Sequence, residues 1–189
     1  MLGLSLAMPA AAETHASPTP NVNRSNVRID NFGYVNAAYY RGAQPSGRDY
    51  GDLAALGIRT VIDLTADGDP GELAMVQQAG MKFYRIPMTT HETPSSTKVG
   101  QFLDLVNNPA NQPVYVHCQG GRHRTGVMTA VYRMTNEAWT ADRAFAEMKQ
   151  YRFGPDFLHP EFKAFVYAYR TDGVRTTAAP AAVGTKTGS

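Results

Sequence analysis

The single cysteine of the chain, Cys118, is followed six positions later by Arg124, then by Thr125 and Gly126. Between cysteine and arginine lie Gln119, Gly120, Gly121, Arg122 and His123. These residue types at these offsets can hold a tetrahedral dianion. Gly120, Gly121 and Gly126 let the backbone curl tightly, so that successive N–H groups converge on one point. A helix starting near Arg124 adds its positive end. Arg124 can fold back and grip two phosphate oxygens in a bidentate geometry that lysine does not offer. The same dipoles favour a thiolate, the nucleophilic form of cysteine. The Cys118 sulfur would then face phosphorus from the floor of the loop. Thr125 is placed to donate a hydrogen bond to that sulfur and ease its departure in a second step. His117 is expected to orient the loop through backbone contacts. Gln119, Gly120, Gly121, Arg122, His123 and Arg124 together form the expected phosphate-binding set. A structural thiol requires no arginine or glycines at fixed offsets.

Such a loop must be strung between a strand and a helix, and the flanking sequence supplies both. Val114-Tyr115-Val116 reads as a short buried strand, and a helical pattern follows over about 125–135. Upstream, Val27–Asp30 and Tyr39–Gly42 read as strands around a turn at Asn31-Phe32-Gly33. Thr60–Leu64 and Lys82–Ile86 read as further strands, the second stopped by Pro87. Ser46 is expected to cap a helix running to Leu56 and closed by Gly57. Pro70 is expected to open a helix through Gln78 that Gly80 closes. Ser95 or Ser96 starts a helix with Val99, Phe102, Leu103 and Val106 on one face. Helices near 140–150 and 157–169 complete the pattern. Strands alternating with helices predict an α/β fold, with a central, mostly parallel sheet flanked by helices on both faces. Ligands of such sheets bind at the carboxyl ends of strands, where the Cys118 loop falls.

The run His117–Gly126 resembles the signature of the cysteine-dependent protein tyrosine and dual-specificity phosphatases. The likeness extends to Asn31-Phe32-Gly33-Tyr34-Val35, Tyr40-Arg41-Gly42-Ala43-Gln44-Pro45 and Gly57-Ile58-Arg59-Thr60-Val61-Ile62-Asp63-Leu64. These read like small bacterial dual-specificity-like phosphatases, some of which are periplasmic. Gly121-Arg122-His123-Arg124 also resembles the atypical plant and fungal members that act on inositol pyrophosphates. The resemblance covers about residues 26–168. It implies Cys118 as nucleophile, Arg124 as phosphate clamp and Thr125 as the hydroxyl assisting hydrolysis. It also implies a cysteinyl-phosphate intermediate released by water, with no metal or other cofactor.

Family members usually carry an aspartate acid on the loop before the helix that precedes the nucleophile strand. Here that loop reads Pro87-Met88-Thr89-Thr90-His91-Glu92-Thr93-Pro94 and holds no aspartate. Glu92 is its only carboxylate and the expected general acid, with His91 as a second choice. Asp67 and Asp69 are further candidate acids that could approach from another loop, but they read first as a turn, Ala66-Asp67-Gly68-Asp69-Pro70. Arg122 and His123 make the loop unusually basic, which suits polyanionic substrates; the plainer alternative leaves Arg122 in solvent and His123 packed. Arg41 reads as an exposed arginine that acts as a structural partner of the loop.

The 189 residues, 43% of them apolar, suffice for one domain with a real core. Eighteen bases against 16 acids give a net charge of +2, too slight to mark a nucleic-acid binder. One cysteine excludes an intramolecular disulfide framework. The five histidines show no metal-ligand spacing. No apolar run reaches the length of a membrane span. Residues 1–12, with an apolar run and Ala10-Ala11-Ala12, read as a signal-peptide remnant without the usual basic start. That reading predicts a periplasmic or secreted protein, and a cytoplasmic one if the segment is only an Ala-rich leader. Residues 13–25 read as a flexible lead-in, 26–170 as the phosphatase domain, and 171–189 as a disordered tail.

The expected function is hydrolysis of phosphate monoesters, on phosphotyrosine or with dual specificity. Inositol phosphates or other polyanionic metabolites are the alternative substrates. A rival reading is a phospho-ligand binding module with little turnover. A sulfur transferase or arsenate reductase fits less well, since the latter needs further cysteines. The expected partner is a phosphorylated protein or small metabolite bound by a monomer, with neither nucleic acid nor stable membrane insertion.

Overall fold

The computed structural model describes residues 27–171. The expected leader, the lead-in and the tail beyond Thr171 lie outside the described residues. Five strands form one sheet: β1 (Gly33–Asn36), β2 (Tyr39–Gly42), β3 (Thr60–Thr65), β4 (Lys82–Met88) and β5 (Val114–His117). Their order is β1-β2-β5-β3-β4. β1 pairs antiparallel with β2, and every other pairing is parallel. The helices are α1 (Asp49–Ala55), α2 (Glu72–Gln78), α3 (Ser96–Asn107), α4 (Arg124–Asn136), α5 (Ala141–Gln150) and α6 (Pro160–Ala168). Among the described residues no helix is long and apolar enough to cross a membrane.

Side-chain alternation along the strands divides the core in two. Ile62, Leu64, Val114 and Val116 pack with the apolar faces of α3, α4, α5 and α6. Val61, Tyr40 and Tyr115 pack on the opposite face with Tyr50 and Leu53 of α1 and Val76 of α2. The two central strands β3 and β5 are buried throughout, as expected of parallel strands covered on both faces. The predicted α/β class and two-faced helix packing are therefore observed. The apolar stripe of α3 is the expected one, and Ser95 caps it by accepting from the Lys98 N–H.

Local differences have local causes. Val27–Asp30 is not a strand; the first strand starts at Gly33, after Asn31 takes a left-handed conformation (φ 56°). Pro87 does not stop β4, which runs on to Met88. β4 is an edge strand, where the missing proline N–H is tolerated. Ser46 does not cap α1, whose N-cap is Arg48; its N–H and hydroxyl instead donate to the Asp49 carboxylate in the first turn. The expected helix over 157–169 divides into a 3-10 turn (Asp156–Leu158) and α6, which Pro160 opens.

Candidate active site

Cys118 follows the last residue of β5 and is 3% exposed. Residues 119–123 then turn the chain into α4, which begins at Arg124. Three successive carbonyls of this turn are held from outside. The Gln44 N–H donates to Gln119 O at 3.1 Å. Asn31 Nδ2 donates to Gly120 O at 3.4 Å and to Gly121 O at 2.9 Å. Arg41 Nη2 donates to Gly121 O at 2.7 Å. In a planar trans peptide the N–H points opposite to the carbonyl. The N–H groups of Gly120, Gly121 and Arg122 are thereby turned to the opposite side of the loop, the arrangement of an anion-binding nest.

The outer scaffold is buried. Arg41 is fully buried, not exposed as its place in the sequence suggested, and its guanidinium lies 3.9 Å over the Tyr151 ring. The structure does make it the loop's partner. Burial is the leading influence on its pKa and lowers it from the ordinary arginine value. Asn31 ties the same assembly together by also donating to Tyr151 O at 2.9 Å.

Gly121 has φ +64°, and a Cβ there would stand 2.4 Å from the Gly42 carbonyl carbon. That neighbour is backbone and cannot swing aside. Gly121→Ala is expected to destabilise the fold by about 3 kcal/mol, combining a left-handed non-glycine residue with overpacking. A fall in the urea midpoint at unchanged m checks it; an unchanged midpoint contradicts this loop geometry.

Arg124 is 5% exposed. Its Nη1 donates to Met88 O at 3.1 Å and reaches Asp67 Oδ1 at 3.5 Å, while its Nε is buried without a partner. Asp67 does lie in an exposed turn, and it also reaches the arginine. The Thr125 hydroxyl is buried and makes no hydrogen bond to Cys118 or to any other group. Arg122 is exposed, the plainer of its two expected placements. His123 is packed: its Nε2 lies 2.9 Å from Phe153 O and its ring 3.9 Å from that of His159. Burial is the main cause that lowers its pKa, with His159, Arg122 and Arg124 acting in the same direction. Glu92 and His91 are both exposed on the loop after β4.

His117 departs from expectation. Its ring does not bond the loop backbone; it is buried between Glu72, 2.9 Å away, and Asp63, 3.9 Å away. Neither ring nitrogen has hydrogen-bond alignment. Arg85 completes this cluster at 2.7 Å from Asp63 and 3.6 Å from Glu72. Burial, the largest single influence, pushes the Glu72 carboxyl up, but His117, Gln44 and Tyr50 together outweigh it and hold the group below its ordinary value. Sequence reasoning placed Asn31 in a turn and in a segment resembling the family but gave it no role at the loop, and it gave Tyr151, Glu72 and His159 no role. The tolerance of asparagine for left-handed backbone was the available signal for Asn31; the others come from distant segments and carried none.

A cysteine at the end of a parallel strand, an anion-facing loop and an arginine opening the next helix define the class of cysteine-dependent phosphatases. The chain belongs to the DSP-PTPase phosphatase family: the family model described as "DSP-PTPase phosphatase fused to NAD+ Kinase" matches residues 21–162. It is 28% identical over 138 residues to inositol diphosphatase SIW14 of Saccharomyces cerevisiae, covering 70% of this chain and 49% of the yeast protein. It thus spans about half the length of that relative. It is 27% identical over 165 residues to dual specificity protein phosphatase TpbA of Pseudomonas aeruginosa, covering 87% of this chain and 74% of TpbA. It is 30% identical over 156 residues to the probable tyrosine-protein phosphatase DG1060 of Dictyostelium discoideum, covering 79% and 92% of the two chains. The solved SIW14 catalytic core superposes with a TM-score of 0.67 at 26% identity, over 77% of this chain and 88% of that one. Solved TpbA gives 0.66 at 26% identity, over 77% and 89%.

Proposed function

We propose that this protein hydrolyses phosphate monoesters in two steps through Cys118, with phosphotyrosine as the preferred substrate class. The outward anchoring of the Gln119, Gly120 and Gly121 carbonyls is the observation that carries the reading. It leaves a preorganised set of N–H donors for the phosphoryl oxygens, which costs no reorganisation during reaction. Cys118 thiolate attacks phosphorus, the S–P bond forms and the O–P bond to the alcohol breaks. Arg124 leaves Met88 O to hold two phosphoryl oxygens. Water then attacks the cysteinyl phosphate and releases inorganic phosphate and thiolate. The buried, unpartnered Thr125 hydroxyl supplies the hydrogen bond to the departing sulfur. Glu92 protonates the leaving alcohol from the loop after β4. TpbA, with its dual-specificity name and a solved complex with pTyr, supports the substrate class.

A second reading, cleavage of inositol pyrophosphates, is favoured by exposed Arg122 on the loop and by the name of the yeast relative. The test is phosphate release from phosphotyrosine and phosphoserine peptides, inositol hexakisphosphate and a pyrophosphorylated inositol. Highest kcat/KM on the phosphotyrosine peptide bears out the first reading. A preference for the pyrophosphate that Arg122→Ala removes supports the second, and no release from any substrate leaves a binding module. In the same assay Glu92→Gln is expected to lower kcat on alkyl phosphates by about 10²-fold, and less on aryl phosphates, whose oxygen leaves more easily. If Asp67→Asn has that effect instead, the acid is Asp67.

A further inference from the structure

Three side chains outside the phosphate loop converge beside it. His91 lies on the loop after β4, His159 precedes α6, and Glu161 is in the first turn of α6. One nitrogen of each histidine and one carboxylate oxygen all lie within 4.8 Å of one another. The histidine rings are 6.0 Å apart. His159 Nδ1 is 3.3 Å from Glu161 Oε1 and 3.1 Å from Thr90 O. We propose that His91, His159 and Glu161 form a binding site for a borderline divalent transition-metal ion such as Zn²⁺, independent of Cys118.

Two nitrogens and one carboxylate oxygen form a donor set suited to this class of ion, with a fourth position open to water. Metal–ligand bonds of about 2.0–2.1 Å at a tetrahedral centre put ligand atoms roughly 3.3 Å apart. The His159–Glu161 pair already has that spacing; on ligation His159 Nδ1 gives up its proton to solvent and its hydrogen bond to Thr90 O. His91 is exposed and must close by only on the order of an ångström to complete the site. His159 is held by its neighbours, stacking against Phe162 and lying against His123. The buried trio Asp63, Glu72 and His117 is also close-set, but Arg85 already supplies its cation. No lysine or arginine among the described residues forms an ion pair with Glu161 in that way; its partner is His159. An ion bound here would fasten His91, one residue before Glu92, to the start of α6 and restrain the loop.

The proposal does not depend on the phosphatase reading. Its test is calorimetric titration of the full chain carrying Cys118→Ser with Zn²⁺, followed by Co²⁺ absorption spectra. The substitution removes the thiolate as a competing ligand. One ion per chain is expected, with the d–d intensity of a tetrahedral site. Affinity is expected to fall at least about tenfold with His91→Ala and again with Glu161→Gln, a loss in the range seen on disturbing metal sites. Metal-free thermal unfolding confirms that both variants fold. The proposal is overturned if no ion binds, or if binding is unchanged in the His91→Ala, Glu161→Gln double variant.

Discussion

Serine in place of Cys118 is expected to cut kcat on a phosphotyrosine peptide by about 10⁴-fold or more, while inorganic phosphate still binds. Loss of a nucleophile commonly costs that much or more. A serine hydroxyl is not ionised near neutral pH. Binding survives because the loop is held by Gln44, Asn31 and Arg41, none of which uses the cysteine side chain. The check is steady-state kinetics beside calorimetric titration with phosphate. Activity within tenfold of the parent would remove the cysteine from the reaction. Loss of binding together with activity would mean that the sulfur, rather than the backbone, organises the loop.

Arg124→Lys is expected to lower kcat/KM by about 10²–10³-fold, with the fold intact. Losing one preorganised donor to a developing oxyanion costs in that range. Lysine keeps the charge but not the planar fork that meets two oxygens at once. Arg124 lies against Met88 O and near Asp67, with Nε unpartnered. A buried donor without an acceptor is unfavourable by about 1–3 kcal/mol, so an arriving phosphate that pairs Nε relieves an existing deficit. A larger loss in kcat than in 1/KM would show that the fork acts chiefly in the transition state. A lysine variant with parental kinetics would show that charge alone suffices.

The loop and its strand–helix setting were legible because the chemistry is local: cysteine, glycines and arginine lie within one short run. The α3 stripe and the β3 and β5 apolar runs were legible because burial imposes a period. Turn-bound starts were less so. The first strand was misplaced because Asn31 bends the chain before Gly33, and Pro87 gave a false stop because edge pairing is invisible in a single sequence. The supports of the loop come from segments about 80 to 90 residues away. Arg41 read as exposed because no local pattern reveals that Tyr151 will cover it. His117 was given to the loop because its carboxylate partners belong to β3 and α2, and only the parallel β3–β5 register brings Asp63 opposite it.

The central claim is that phosphate passes through Cys118. It is tested most directly by mixing the protein with a phosphotyrosine peptide, quenching in acid within a turnover and mapping the chain by mass spectrometry. The account predicts one added phosphoryl group on the peptide containing Cys118, absent in Cys118→Ser and longer-lived in Thr125→Ala. Full turnover with no phosphoryl group on that peptide, or with one on another residue, would contradict it.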